Sequence, residues 1–110
     1  MPNDYQGEFE HLVLLAVMQA GPEAYGVPIR DEIEARGERD VSFGAVYATL
    51  RRLEKKGLVE TELGDPEPVA GGRARKLVRL TADGLDAVRR SQARLARMSE
   101  GLSAVLESGA

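Results

Sequence analysis

The residues best suited to chemistry in this chain are cations. Arg51, Arg52, Lys55 and Lys56 stand close together, and Arg73, Arg75 and Lys76 follow a Gly71-Gly72 pair. Clustered guanidinium and ammonium groups neutralise phosphates, and arginine also reads base edges through paired donors. Tyr47 precedes Arg51 by one helical turn, so both can reach phosphates or bases from one helix face. Other chemistries find little support. The chain has no Cys, which removes disulfides, thiolate nucleophiles and zinc–thiolate sites together. His11 is the single histidine and makes no metal site by itself. Ser42, Ser91, Ser99 and Ser103 have no histidine base near them in sequence. Ala70-Gly71-Gly72 lacks the Gly-Lys-Ser/Thr of a phosphate loop and precedes a strand. The carboxylates form no paired motif. No enzyme is expected, and no cofactor or metal.

The net charge of −3 taken alone opposes a polyanionic partner, but its distribution does not. Residues 1–41 carry nine acids and three bases, net −6; residues 42–80 carry five acids and eight bases, net +3. Residues 81–110 carry four of each. A basic patch can therefore form on an acidic protein. With 110 residues, 43% of them apolar and 30% charged, the chain has the size and profile of one globular domain. Its longest apolar run, Leu12 to Met18, has seven residues, against the ~20 of a membrane span. No basic region followed by an apolar stretch opens the chain, so the cytoplasm is expected.

Six elements must position the cations. Residues 1–7 read as a polar arm. Phe9, Leu12, Val13, Ala16 and Val17 then recur at helical spacing, and Gly21-Pro22 ends that helix. Val27, Ile29 and Ile33 mark a second helix closed by Gly37, with Pro28 tolerated in its first turn. Ser42 is a good N-cap for a third, whose apolar face is Val46, Leu50 and Leu53, with Phe43 at the entrance and Gly57 past its end. Leu58 to Leu63 and Lys76 to Leu80 read as a hairpin, and Gly64 to Gly72, with two Pro and three Gly, as its loop. Thr81 caps a last helix that can run to about Glu107. Val88, Leu95, Met98, Leu102 and Val105 lie near heptad spacing along it. A helix of ~25 residues outruns so small a core, so these five are expected to pack against a partner chain.

Three helices, a β-hairpin and a long helix give a mostly α fold with the winged helix-turn-helix layout. The major groove admits one α-helix. The first two helices would bury the Val46/Leu50/Leu53 face of the third, and the hairpin would grip the flanking backbone. Gly44, Ala45 and Ala48 keep the start of the third helix thin. Plainer readings exist: Lys55 and Lys56 suit a solvated helix face, Tyr47 a core rim, and His11 a structural or solvent-facing position.

Residues 9 to about 90 resemble the PadR family of bacterial transcriptional regulators. The resemblance rests on Leu14-Leu15-Ala16-Val17 leading to Gly21-Pro22, on Gly26-Val27-Pro28-Ile29, and on the run from Ser42 to Val59. It continues in Gly71-Gly72-Arg73-Ala74-Arg75-Lys76 and Arg79-Leu80-Thr81-Ala82-Asp83-Gly84. It departs from the family pattern at Tyr25-Gly26-Val27, at Ala48 after Tyr47, and at Leu77-Val78. The resemblance implies a homodimeric DNA-binding repressor of the compact type with a single C-terminal helix, acting on a two-fold symmetric operator. It places Ser42, Gly44, Tyr47, Ala48 and Arg51 on the recognition helix, where Arg52 also falls, and Gly72, Arg73 and Arg75 on the wing, with Lys76 beside them. Residues 1–80 would form the DNA-binding domain and residues 81–110 the dimerisation helix. Any small-molecule effector is left unspecified: there is no Trp, and residues 81–110 hold no aromatic. The rival reading is a winged-helix module that binds protein through its acidic N-terminal third and does not bind DNA.

Overall fold

The computed structural model describes residues 7–66 and 74–108. Helix α1 spans Glu8–Ala20, and a 3-10 turn over Gly21–Glu23 leads to α2, Gly26–Gly37. Helix α3 spans Phe43–Lys55, strands β1 and β2 span Val59–Pro66 and Ala74–Leu80, and α4 and α5 span Ala82–Met98 and Ser103–Ser108. No helix among the described residues is long and apolar enough to cross a membrane.

The helix starts follow from side chains that satisfy orphan backbone donors. Ser42 Oγ accepts from the Ala45 amide at 3.1 Å, and Thr81 Oγ1 accepts from the Gly84 amide at 3.0 Å. Thr81 also donates to the Gly57 carbonyl at 2.6 Å, tying the start of α4 to the end of α3. Ser42→Ala is expected to lower stability by about 0.5–2 kcal/mol, the usual cost of losing an N-cap, read as a fall in thermal midpoint. An unchanged midpoint would mean that the cap contributes nothing.

One core joins the helices and the hairpin. Val13, Leu14, Ala16 and Val17 of α1 meet Ile29 and Ile33 of α2, and Val46, Leu50 and Leu53 of α3. Leu58, Val59, Val78, Ala87 and Val88 complete it. The strands pair antiparallel from Val59 opposite Leu80 to Leu63 opposite Lys76, with an irregularity before Pro66 opposite Ala74. The ladder thus extends to Pro66 and begins again at Ala74, beyond the expected strand ends. A proline is tolerated there because both strands of a two-stranded sheet are edges. The Val78 amide donates to the Ala24 carbonyl at 2.8 Å, fastening β2 to the turn between α1 and α2.

The C-terminal region differs from the single helix expected to run to Glu107. Helix α4 stops at Met98, Ser99 Oγ donates back to the Leu95 carbonyl at 2.8 Å, and Gly101 takes the left-handed conformation at φ 82°. Glycine adopts that conformation without a Cβ penalty, and the chain restarts as α5. Val88 also differs from expectation. It is buried in the core of its own chain and is not free for a partner. The last buried residue of α4 is Ser91; beyond it Leu95, Met98, Leu102, Val105 and Leu106 are all exposed, Met98 at 78%. The radius of gyration, 15.6 Å, exceeds the roughly 13 Å of a compact chain this long. The end of α4 therefore stands away from the body.

Candidate nucleic-acid interface

Helix α3 is divided lengthwise. Val46, Thr49, Leu50 and Leu53 are buried, while Gly44, Tyr47, Arg51 and Lys55 are exposed and Ala48 is half-buried. The small residues leave the outer surface of the first turns low. Ser42 is exposed at the helix start, its hydroxyl oxygen engaged as the cap.

The cations of residues 42–80 separate into two groups. Arg52 turns toward α1: its Nε lies 3.4 Å from Glu10 Oε2, and its Nη2 donates to Thr49 Oγ1 at 2.9 Å. Lys56 joins the same carboxylate at 2.8 Å. Arg52, expected on the DNA-reading face, is exposed and at the same time links α3 to α1 through Glu10. Arg79 spans Glu60 and Glu62 across the hairpin, at 2.9 Å from each. The hydrogen bond to Glu60, then the charges of both carboxylates, raise its pKa further above the usual arginine value. Arg51, Lys55 and Lys76 form no ion pair among the described residues. Their charge is left for a partner. Lys55, read from sequence as a solvated residue, belongs with Arg51 one turn away.

The wing meets this face at its base. Tyr47, Arg51, Glu54, Thr61 and Lys76 line a small cleft between α3 and the strands, and Thr61 Oγ1 donates to Glu54 Oε2 at 3.0 Å across it. Arg75 is held at the wing base: its guanidinium lies 5.4 Å from the Tyr25 ring centre and 3.9 Å from Glu23. It was expected at the wing's gripping end. Gly72 and Arg73 lie outside the described residues.

Tyr47 is half-exposed, and its hydroxyl lies against Gly26, where a Cβ would overlap the phenol ring. The absence of a side chain at Gly26 lets the recognition helix seat on the start of α2. The sequence reading overlooked Arg30. Its Nε donates to the Val41 carbonyl at 2.8 Å, its Nη2 is 3.2 Å from Glu34, and its guanidinium lies 4.5 Å from the Phe43 ring centre. Nothing near Arg30 in the sequence signals that role, because its partner ring is on the next helix. His11 is buried, and its Nε2 donates to Gln92 Oε1 at 2.6 Å, which joins α1 to α4.

A helix with an exposed cationic face beside a hairpin wing, both mounted on two supporting helices, defines a winged helix-turn-helix protein. The profile of the transcriptional regulator PadR-like family matches residues 14–90. The chain is 40% identical over 81 residues to transcriptional regulator Rv3488 of Mycobacterium tuberculosis, covering 71% of each. A PadR-like transcriptional regulator from Bacillus cereus superposes with a TM-score of 0.70 at 26% identity, over 89% of this chain and 90% of that one. A PadR family regulator from Eggerthella lenta does so with a TM-score of 0.65 at 28% identity, over 91% and 87%. This chain belongs to the PadR-like family of transcriptional regulators. It is a DNA-binding regulator and not an enzyme.

Proposed function

We propose that the chain acts in the cytoplasm as a homodimeric repressor that binds a two-fold symmetric operator in double-stranded DNA. The observation that carries this reading is the pair of exposed cations Arg51 and Lys55, unpaired among the described residues, on the face of α3 opposite its buried stripe. That face enters the major groove, with Ser42, Gly44, Tyr47 and Ala48 at its leading end. Lys76 contacts the flanking backbone, a role that the resemblance also gives to Gly72 and Arg73, while Arg75 braces the wing base from Tyr25 and Glu23; phosphate contacts of this kind position a protein without reading sequence. Residues 1–80 form the DNA-binding unit. Residues 81–110 form the dimer contact, with Leu95, Met98, Leu102 and Val105 in the seam. Two-fold symmetry then sets the half-sites about one helical turn, ~34 Å, apart. Seated on a promoter, such a dimer excludes polymerase.

A gel shift with the DNA upstream of the chain's own gene, competed by unrelated duplex, tests the reading. Arg51→Ala is expected to weaken binding by about 1–3 kcal/mol while the thermal midpoint stays put. Relaxed preference at one base position marks a base contact, and uniform weakening marks a phosphate contact. Undiminished affinity would remove Arg51 from the interface.

A further inference from the structure

We infer that Phe43 and Tyr47 form an apolar reading edge for thymine methyl groups in the major groove. The inference rests on the DNA-binding reading above. The chain has only two Phe and three Tyr, yet one of each stands exposed at the start of the recognition helix. Phe43 is its first residue and is 38% exposed, although sequence placed it at the mouth of the buried face. Its ring centre lies 6.3 Å from that of Tyr47, with 26° between the planes. Arg30 covers the Phe43 ring and is itself committed to the Val41 carbonyl and the Glu34 carboxylate. The ring is therefore held from two sides, which lowers the ordering cost of binding. Its exposed edge has no polar atom. The Tyr47 hydroxyl is turned to Gly26, so that side chain too offers ring surface beside Phe43. A base pair presents one apolar group in the major groove, the C5-methyl of thymine, and phenylalanine is among the side chains that contact it. The recognised chemistry is thus a thymine-bearing step under the first turn of α3.

The test begins with duplexes selected from a random pool by the full-length protein. Each thymine of the selected site is then replaced by uracil, which removes the methyl and leaves base pairing intact. The wild-type protein is expected to lose about fourfold in affinity at one thymine or more per half-site, the factor carried by one buried CH₂-sized group. Phe43→Ala is expected to bind the thymine and uracil duplexes alike. Uracil substitution without effect, selected sites that lack thymine, or discrimination that survives in Phe43→Ala overturns the inference while leaving DNA binding in place. If Phe43→Ala fails to fold, the wild-type uracil series decides alone. Failure to bind any duplex overturns the function itself, and this inference with it.

Discussion

Leu95→Glu combined with Met98→Glu is expected to leave the chain monomeric, where the proposed dimer requires both side chains, and to weaken operator binding by about 10²- to 10⁴-fold, the gain that linked sites confer. Both side chains are exposed on the part of α4 that has left its own core. Burying a Leu or Met side chain is worth about 1.5–3 kcal/mol. The two from each copy therefore contribute roughly 6–12 kcal/mol to a symmetric seam. Glutamate is a good helix former, so α4 itself should survive the exchange. Light scattering reads the mass, and a gel shift reads the affinity. A double variant that keeps the dimer mass and its affinity would place the contact elsewhere, for example on α1.

Leu53→Ala should remove about 2–5 kcal/mol of stability, a large share of the ~5–15 kcal/mol that holds a domain together. Leu53 is fully buried among the residues that join α3 to the core. Truncating it removes transfer energy and leaves a cavity. Urea unfolding measures the loss. The contrast with Arg51→Ala is the useful part, since the two positions lie half a turn apart on one helix. One change should cost stability, and the other should cost DNA affinity alone. A Leu53→Ala variant as stable as the wild type would mean that the α3 face has been assigned to the wrong side.

Local signals were legible and long-range partners were not. Ser42 and Thr81 read as caps because an N-cap needs only a short side chain and the amide three residues on. The Val46/Leu50/Leu53 stripe read as buried because helical spacing alone puts those residues on one face. Arg51 and Arg52 could not be told apart by type. What separates them is Glu10, which lies on another helix and claims Arg52. Val88 continues the heptad spacing of Leu95 and Met98, yet its own core buries it. Periodicity reports that a face is apolar, not which chain covers it. The end of α4 was written in Ser99 and Gly101, a C-terminal signal that the apolar spacing across it obscured. Phe43 read as the entrance of α3, and it is the first residue of that helix, but its contact with Arg30 of α2 exists only in the folded chain.

The salt dependence of duplex binding tests the central claim most directly. Arg51, Lys55 and Lys76 are the unpaired cations of residues 42–80 among those described, and the proposed dimer would bring six of them to DNA. Each neutralised phosphate adds about 0.9 to the fall of log K with log salt, so the slope should reach at least about −5. Between ~50 and ~200 mM salt the affinity should drop about a thousandfold. An affinity that stays flat over that range would contradict the assignment of α3 and the wing as a DNA-binding surface.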